Sequence, residues 1–134
     1  KGILDSEDAI IATNTGADAI IVSNHGGRQL DGAPSSIKVL PEIVDAVGRK
    51  IEIHIDGGIR SGQDVVKALC LGAKGTYIGR AFLYGLGALG KTGVSKSLDI
   101  IKNELDKTMA FCGRRNVEDL DKTNLYIEKP LNNY

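Results

Sequence analysis

Tryptophan is absent from this 134-residue sequence, and aromatic residues as a whole make up only 4% of it. The stacking platform that single-stranded nucleic acid needs is therefore missing. Cysteine is almost absent too. Cys70 and Cys112 are the only two, both in apolar surroundings, which excludes a disulfide framework and a cysteine-built metal site. Neither sign of charge is in excess: 17 Lys and Arg stand against 17 Asp and Glu, with pI near 6.9. No global field draws such a chain to nucleic acid or to an anionic membrane. No apolar run approaches the roughly 20 residues that span a bilayer, and the first residues carry no secretory pattern. With 42% hydrophobic and 25% charged residues, the expectation is one globular unit in a reducing, cytoplasmic setting.

What the chain has in quantity is glycine. Seventeen glycines stand as punctuation between apolar runs rather than in a linker. Asp5 and Ser6 open a helix over residues 7–15, with acids in its first turn and Gly16 as its stop. Residues 19–23 form a β-branched run of the kind buried on both faces of a parallel sheet. After a polar loop, Pro41 suits the first turn of a helix that runs through Val47 and ends at Gly48. Residues 51–55 alternate as a strand does. Ser61 is a candidate N-cap with Asp64 three residues on, for a helix that stops at Gly72. Residues 75–78 form a short strand broken at Gly79. Val94, Leu98, Ile101, Leu105 and Met109 then share one face of a long amphipathic helix.

Helix and strand thus alternate, which is the signature of βαβ units and a parallel sheet. Two α/β architectures have this order, a doubly wound open sheet and a closed (β/α)₈ barrel. Both gather their chemistry at the carboxyl ends of the strands. A whole barrel takes about 250 residues, so for a barrel this chain is expected to be a fragment. In that case Lys1 would sit at the end of a strand whose body lies outside the sequence.

The first strand end reads Ser23-Asn24-His25-Gly26-Gly27-Arg28-Gln29-Leu30-Asp31. Its two glycines permit positive φ and a close approach of backbone to ligand. An imidazole at His25 can take a proton near neutral pH, and the guanidinium of Arg28 matches a carboxylate in bidentate fashion. The bland alternative is a turn histidine beside a solvated arginine. The second strand end, Asp56-Gly57-Gly58-Ile59-Arg60, leads into a helix whose N-terminal amides and dipole favour an anion. Gly79-Arg80 repeats the pattern at the third. Two adjacent glycine–arginine turns at the last strands are where barrels bind phosphate, although neither carries a Rossmann or Walker fingerprint. Three other features read more simply as structure: His54 as a satisfied core histidine, Arg114-Arg115 as a solvated helix end, and residues 116–134 as a packed extension.

Together, Lys1-Gly2, the S-N-H-G-G-R-Q-L-D run, D-G-G-I-R and Gly79-Arg80 resemble the FMN-dependent α-hydroxy acid dehydrogenase and oxidase family. The likeness runs in order and with matching spacing from Lys1 to about Leu120. It implies the C-terminal half of a TIM (β/α)₈ barrel, about strands five to eight with their helices. Residues 1–112 would be barrel units and residues 113–134 an extension. It implies FMN as cofactor and a small 2-hydroxy acid, lactate-like, as substrate. It further implies His25 as the active-site base, Arg28 as the carboxylate clamp, and Lys1 beside the flavin ring where a cation stabilises the reduced anion. Ser23 would contact the flavin, while Asp56, Gly57, Gly58, Ile59, Arg60, Gly79 and Arg80 would hold its ribityl and phosphate. No metal ligands are expected. The barrel's N-terminal half, with its tyrosines and the aspartate that orients the histidine, is the partner the resemblance requires. A homotetramer and a cytoplasmic location, free or peripheral to the inner membrane, complete the expectation; the fragment alone should be inert. An IMP dehydrogenase-like or isopentenyl-diphosphate isomerase-like FMN barrel, or a non-catalytic unit, is the alternative.

Overall fold

Eleven buried apolar side chains drawn from strands, helices and the loops between them assemble one continuous core between a parallel sheet and a single layer of helices. The computed structural model describes residues 1–127; the expected extension beyond that point, including Leu131, lies outside the described residues. The elements follow in the order α1 (Ser6–Asn14), β1 (Ala19–Val22), α2 (Ser36–Val47), β2 (Glu52–Ile55), α3 (Gly62–Cys70), β3 (Gly75–Thr76) and α4 (Arg80–Phe111). The sheet is parallel in the order β1-β2-β3, with Ile20 paired to Ile53 and Ile55 to Thr76. On the free edge of β1, Ile3 forms a parallel bridge to Val22, so residues 1–3 run alongside it like the end of a further strand.

Ile20, Val22, Ile53 and Ile55 turn towards the helices and meet Ala9, Leu40, Ile43, Val47 and Ala68. Each of Leu40, Ile43, Ile53 and Ile55 is less than 2% exposed, and burying such a side chain is worth about 1.5–3 kcal/mol. The alternate residues Ala19, Ile21, Glu52 and His54 face the other way and are exposed or only half-buried. The expectation that the first strand is buried on both faces is therefore corrected: no second layer covers this side among the described residues. The same geometry corrects His54. It lies on the open face, not in the core, and is satisfied there by Glu52 Oε2 at 3.2 Å.

Local signals account for most helix ends. Asp5 caps α1 by accepting from the amides of Glu7 and Asp8, and Ser61 with Asp64 closes a reciprocal capping box on α3. Pro41 misleads. It lies inside α2, which starts five residues earlier at Ser36 because Leu40, Ile43 and Val47 all have to reach the core. The proline removes only one donor from that helix. β3 is also shorter than its apolar run. It is paired on one side only, although Tyr77 N still donates to the Ile55 carbonyl at 2.9 Å.

The last helix departs most from expectation. It breaks at Leu89-Gly90, where Gly90 has φ +57°, and its two arms touch at Gly85 and Gly93, with no room for a Cβ at either. Only the end of the apolar stripe finds a partner: Met109 is buried with Val66, Cys70 and Leu120, whereas Leu98 is half-exposed. Arg114 is not simply solvated. Its guanidinium donates to Asn124 Oδ1 at 3.1 Å and pairs with Asp121, holding Leu120 and Leu125 against α3 and α4. Both cysteines are free, and burial pushes the Cys70 thiol above its ordinary value, aided by Cys112 and Asp121.

Candidate active site

The carboxyl ends of all three strands, together with Lys1, open onto one cleft of about 480 Å³. Lys1, His25, Arg28, the whole Asp56–Arg60 run, Gly79 and Arg80 line it. Ser23 does not. It is fully buried below the cleft floor, where its hydroxyl accepts from Lys1 Nζ at 2.9 Å and from the backbone amide of His25 at 3.1 Å. Ten of the eleven residues expected at a site thus meet in one place, and the eleventh supports two of them.

Each residue is placed by its local chain. After β1 the backbone turns at once: Gly27 N donates to the Asn24 carbonyl at 2.9 Å, and His25 and Gly26 between them have φ +54° and +71°. That is the geometry of a type I′ turn, which demands positive φ at both central residues. His25 is the only non-glycine residue with positive φ among those described. Its ring lies against Gly2, where a Cβ would come within 2.7 Å of His25 Cε1. Arg28 follows, exposed, on the same rim, and the Arg80 guanidinium reaches within 4 Å of the Cβ position at Gly26.

Charge in the cleft is lopsided. Lys1, Arg28, Arg60 and Arg80 face a single carboxylate, Asp56. Asp56 Oδ2 pairs with Lys1 Nζ at 2.9 Å, while its Oδ1 is buried with no hydrogen-bond partner among the described residues. A buried acceptor left unpaired costs about 1–3 kcal/mol, so this oxygen calls for a donor such as a ligand hydroxyl. The two glycine–arginine turns turn out not to be equivalent. At α3 the amides of Arg60 and Ser61 are taken by Asp64 Oδ2, and that of Gly62 by Glu104 Oε2. The expectation of a free helix N-terminus there is corrected, leaving the Gly57-Gly58 backbone and the Arg60 side chain. At α4 no side chain caps Gly79, so this helix start stays open to an anion.

Sequence reasoning missed Tyr77, Ile78 and Leu83, which also line the cleft. Tyr77 ends the strand run, where a side chain can turn into the cleft, and its ring packs 5.7 Å from that of His54. No group of His, Cys, Asp and Glu among the described residues is arranged to hold a metal ion.

The FMN-dependent dehydrogenase model matches residues 1–127. The chain belongs to that family. Its cofactor is FMN, and the orphaned Asp56 oxygen, the glycine backbone and the excess of cations suit a polyhydroxylated phosphate ligand. Similarity to curated relatives is high: 53% identity to an L-lactate dehydrogenase of Caulobacter sp. (strain K31), over 93% of this chain and 33% of the relative. Mouse 2-hydroxyacid oxidase 1 is likewise 53% identical, over 98% of this chain and 35% of its own length. The chain thus spans about a third of the curated relatives it matches. Among solved structures, a monotopic membrane protein, (S)-mandelate dehydrogenase, superposes with a TM-score of 0.91 at 46% identity, covering 95% of this chain and 34% of that one. A mandelate oxidase variant with a monooxide FMN adduct gives 0.84 at 48% identity, covering 87% and 37%. The fold is accordingly part of a TIM (β/α)₈ barrel. No helix among the described residues is long and apolar enough to cross a membrane.

Proposed function

We propose that this chain is the C-terminal part of an FMN-dependent enzyme that oxidises a small L-2-hydroxy acid, lactate-like, to the 2-keto acid. One observation carries the reading: His25 and Arg28 share a single cleft with the glycine–arginine turns of β2 and β3. The relatives' names, lactate dehydrogenase and 2-hydroxyacid oxidase, support the same reaction class. They favour it over a nucleotide- or isoprenoid-directed FMN barrel.

In this reading Arg28 grips the substrate carboxylate through its planar fork and so presents the α-carbon to the cleft. His25 takes the proton that the substrate releases as two electrons leave, and an imidazole suits that exchange near neutral pH. Bound FMN supplies the two-electron acceptor. The Asp56 carboxylate and the Gly57-Gly58 backbone would hold its ribityl chain. Gly79, Arg80 and Arg60 would hold its phosphate, chiefly at the open start of α4, beside Ile59. Lys1, fixed by Ser23 and Asp56, would lay its ammonium against the ring edge and steady negative charge there. The open sheet face and unpaired edges call for the remainder of the barrel, so the isolated segment should not turn over. A cytoplasmic homotetramer, with or without a membrane surface contact, is the setting proposed for the whole enzyme.

The test is anaerobic. Full-length enzyme loaded with FMN is mixed with lactate, glycolate or mandelate and flavin absorbance is followed, for the parent and for His25→Ala. Bleaching in the parent and none in the variant, with flavin still bound, supports the assignment. Bleaching of the variant at the parent rate sinks it.

A further inference from the structure

We infer that Asn24, together with Ser36, is a positioning residue for His25 and ties the substrate loop to the flavin loop. The inference rests on the function proposed above, but its geometry is independent of it. Asn24 does not itself line the cleft, and its side chain contacts none of His25, Arg28 or Lys1 by a hydrogen bond. Its side chain instead does two things. Oδ1 accepts from the Gly26 amide at 3.0 Å, closing an Asx turn inside the turn that holds His25. Nδ2 donates to the Pro34 carbonyl at 3.3 Å, at the far end of the loop that carries His25 and Arg28.

Ser36 completes the clip. Its hydroxyl is buried and accepts from the Asn24 amide at 3.2 Å, anchoring the turn to the first residue of α2. Both polar atoms also border the other loop. A Cβ at Gly57, where φ is +87°, would lie 3.0 Å from Asn24 Oδ1 and 3.0 Å from Ser36 Oγ. Gly57, within the flavin loop, thus packs directly on the pair that shapes the substrate loop.

Holding His25 at φ +54° has a cost that something must offset, because a non-glycine residue in the left-handed region is uncommon. Three hydrogen bonds converge on that turn: the His25 amide donates to Ser23 Oγ, the Gly26 amide to Asn24 Oδ1, and the Gly27 amide to the Asn24 carbonyl. Ser23 also holds Lys1, so its removal would disturb two groups at once. Asn24 is the member that acts on the turn without touching Lys1.

The experiment compares Asn24→Ala, Asn24→Asp and Ser36→Ala in the full-length FMN enzyme. Three quantities are read: the anaerobic rate of flavin reduction at saturating hydroxy acid, FMN affinity by flavin fluorescence, and the thermal midpoint. A misplacement near 1 Å costs about 100-fold in rate. Asn24→Ala should therefore lose about 30- to 100-fold in reduction rate, with FMN affinity held within about threefold. Asn24→Asp keeps the acceptor for Gly26 but sets an oxygen against the Pro34 carbonyl in place of the donor, so it should recover part of that loss. Should Asn24→Ala not fold, Asn24→Asp and Ser36→Ala carry the test, with Ser36→Ala expected to slow reduction by about 3- to 10-fold. A parent-like rate in Asn24→Ala overturns the inference. So do an Asp variant as slow as the Ala variant, loss of FMN in step with rate, and, where only the milder pair folds, a parent-like rate in Ser36→Ala. His25→Ala run alongside separates the two claims: if it still reduces flavin, the function fails; if it is dead while Asn24→Ala is parent-like, only the positioning fails.

Discussion

Gly2→Ala puts a methyl group where the His25 ring already stands. The Cβ would meet His25 Cε1 at 2.7 Å, well inside the 3.4 Å at which contacts become ordinary, so the ring must give way by about 0.7 Å. A catalytic group needs its place held to about 0.5 Å, and a full 1 Å error costs about 100-fold. The expected loss in flavin reduction is about 10- to 50-fold, or roughly 1.4–2.3 kcal/mol of barrel-bound transition-state stabilisation. Alanine must also adopt φ +99° there, a strain of about 1–2 kcal/mol. In a domain of more than 150 residues that lowers the midpoint by only a few degrees, about 2–8 °C. Gly2 does not line the cleft, so FMN content should not change. The assay is stopped-flow bleaching of FMN-loaded full-length enzyme under anaerobic conditions, with flavin stoichiometry measured on the same sample. A rate within about twofold of the parent would refute the placement of the imidazole against Gly2.

Arg28→Ala should lower kcat/KM for the hydroxy acid by about 10- to 100-fold, the worth of a charge-assisted hydrogen-bonded pair, mainly through KM; an unchanged KM contradicts the clamp. Gly62→Ala drives a Cβ into the Glu104–Leu105 backbone, which neither helix can vacate, so α3 and α4 should part and stability fall by more than about 3 kcal/mol in urea melts. Cys70 is buried and its thiol is raised by that burial first. Iodoacetamide at pH 8 should therefore mark Cys112 well before Cys70 in the native protein, read by peptide mass; equal labelling contradicts the packing. Because folding raises this thiol, its contribution to stability is full below the ordinary thiol value and fades as pH climbs through the higher folded value.

The parts of this fold that were legible in the sequence are those governed by local chemistry. Asp5, Ser61 with Asp64, and the glycines after α1 and α3 announce their helix ends because a cap needs only neighbours three residues away. The candidate site is legible for a related reason: strand ends carry their own turn glycines, so local rules alone put His25, Arg28, Asp56 and Arg80 on one rim, and all four line the one cleft. What failed depended on tertiary structure. Pro41 marks a helix start by local rules, yet α2 extends back to Ser36 to bury Leu40. The amides of α3 are free by local rules, yet Glu104, forty-two residues on, accepts from Gly62. Asn24 and Ser36 gave no signal, since each is an ordinary turn or cap residue until the twelve-residue separation between them is closed. Arg114 looked solvated because its partners Asp121 and Asn124 follow only after the chain has turned back.

The central claim is that His25 and Arg28 act together on a hydroxy acid over the flavin. Anaerobic bleaching of the full-length enzyme by lactate measures it most directly, with His25→Ala as the paired sample. The account predicts rapid bleaching in the parent and a loss of at least about 100-fold in the variant, with FMN retained by both. Equal bleaching rates, or a parent flavin that no 2-hydroxy acid reduces, would contradict it.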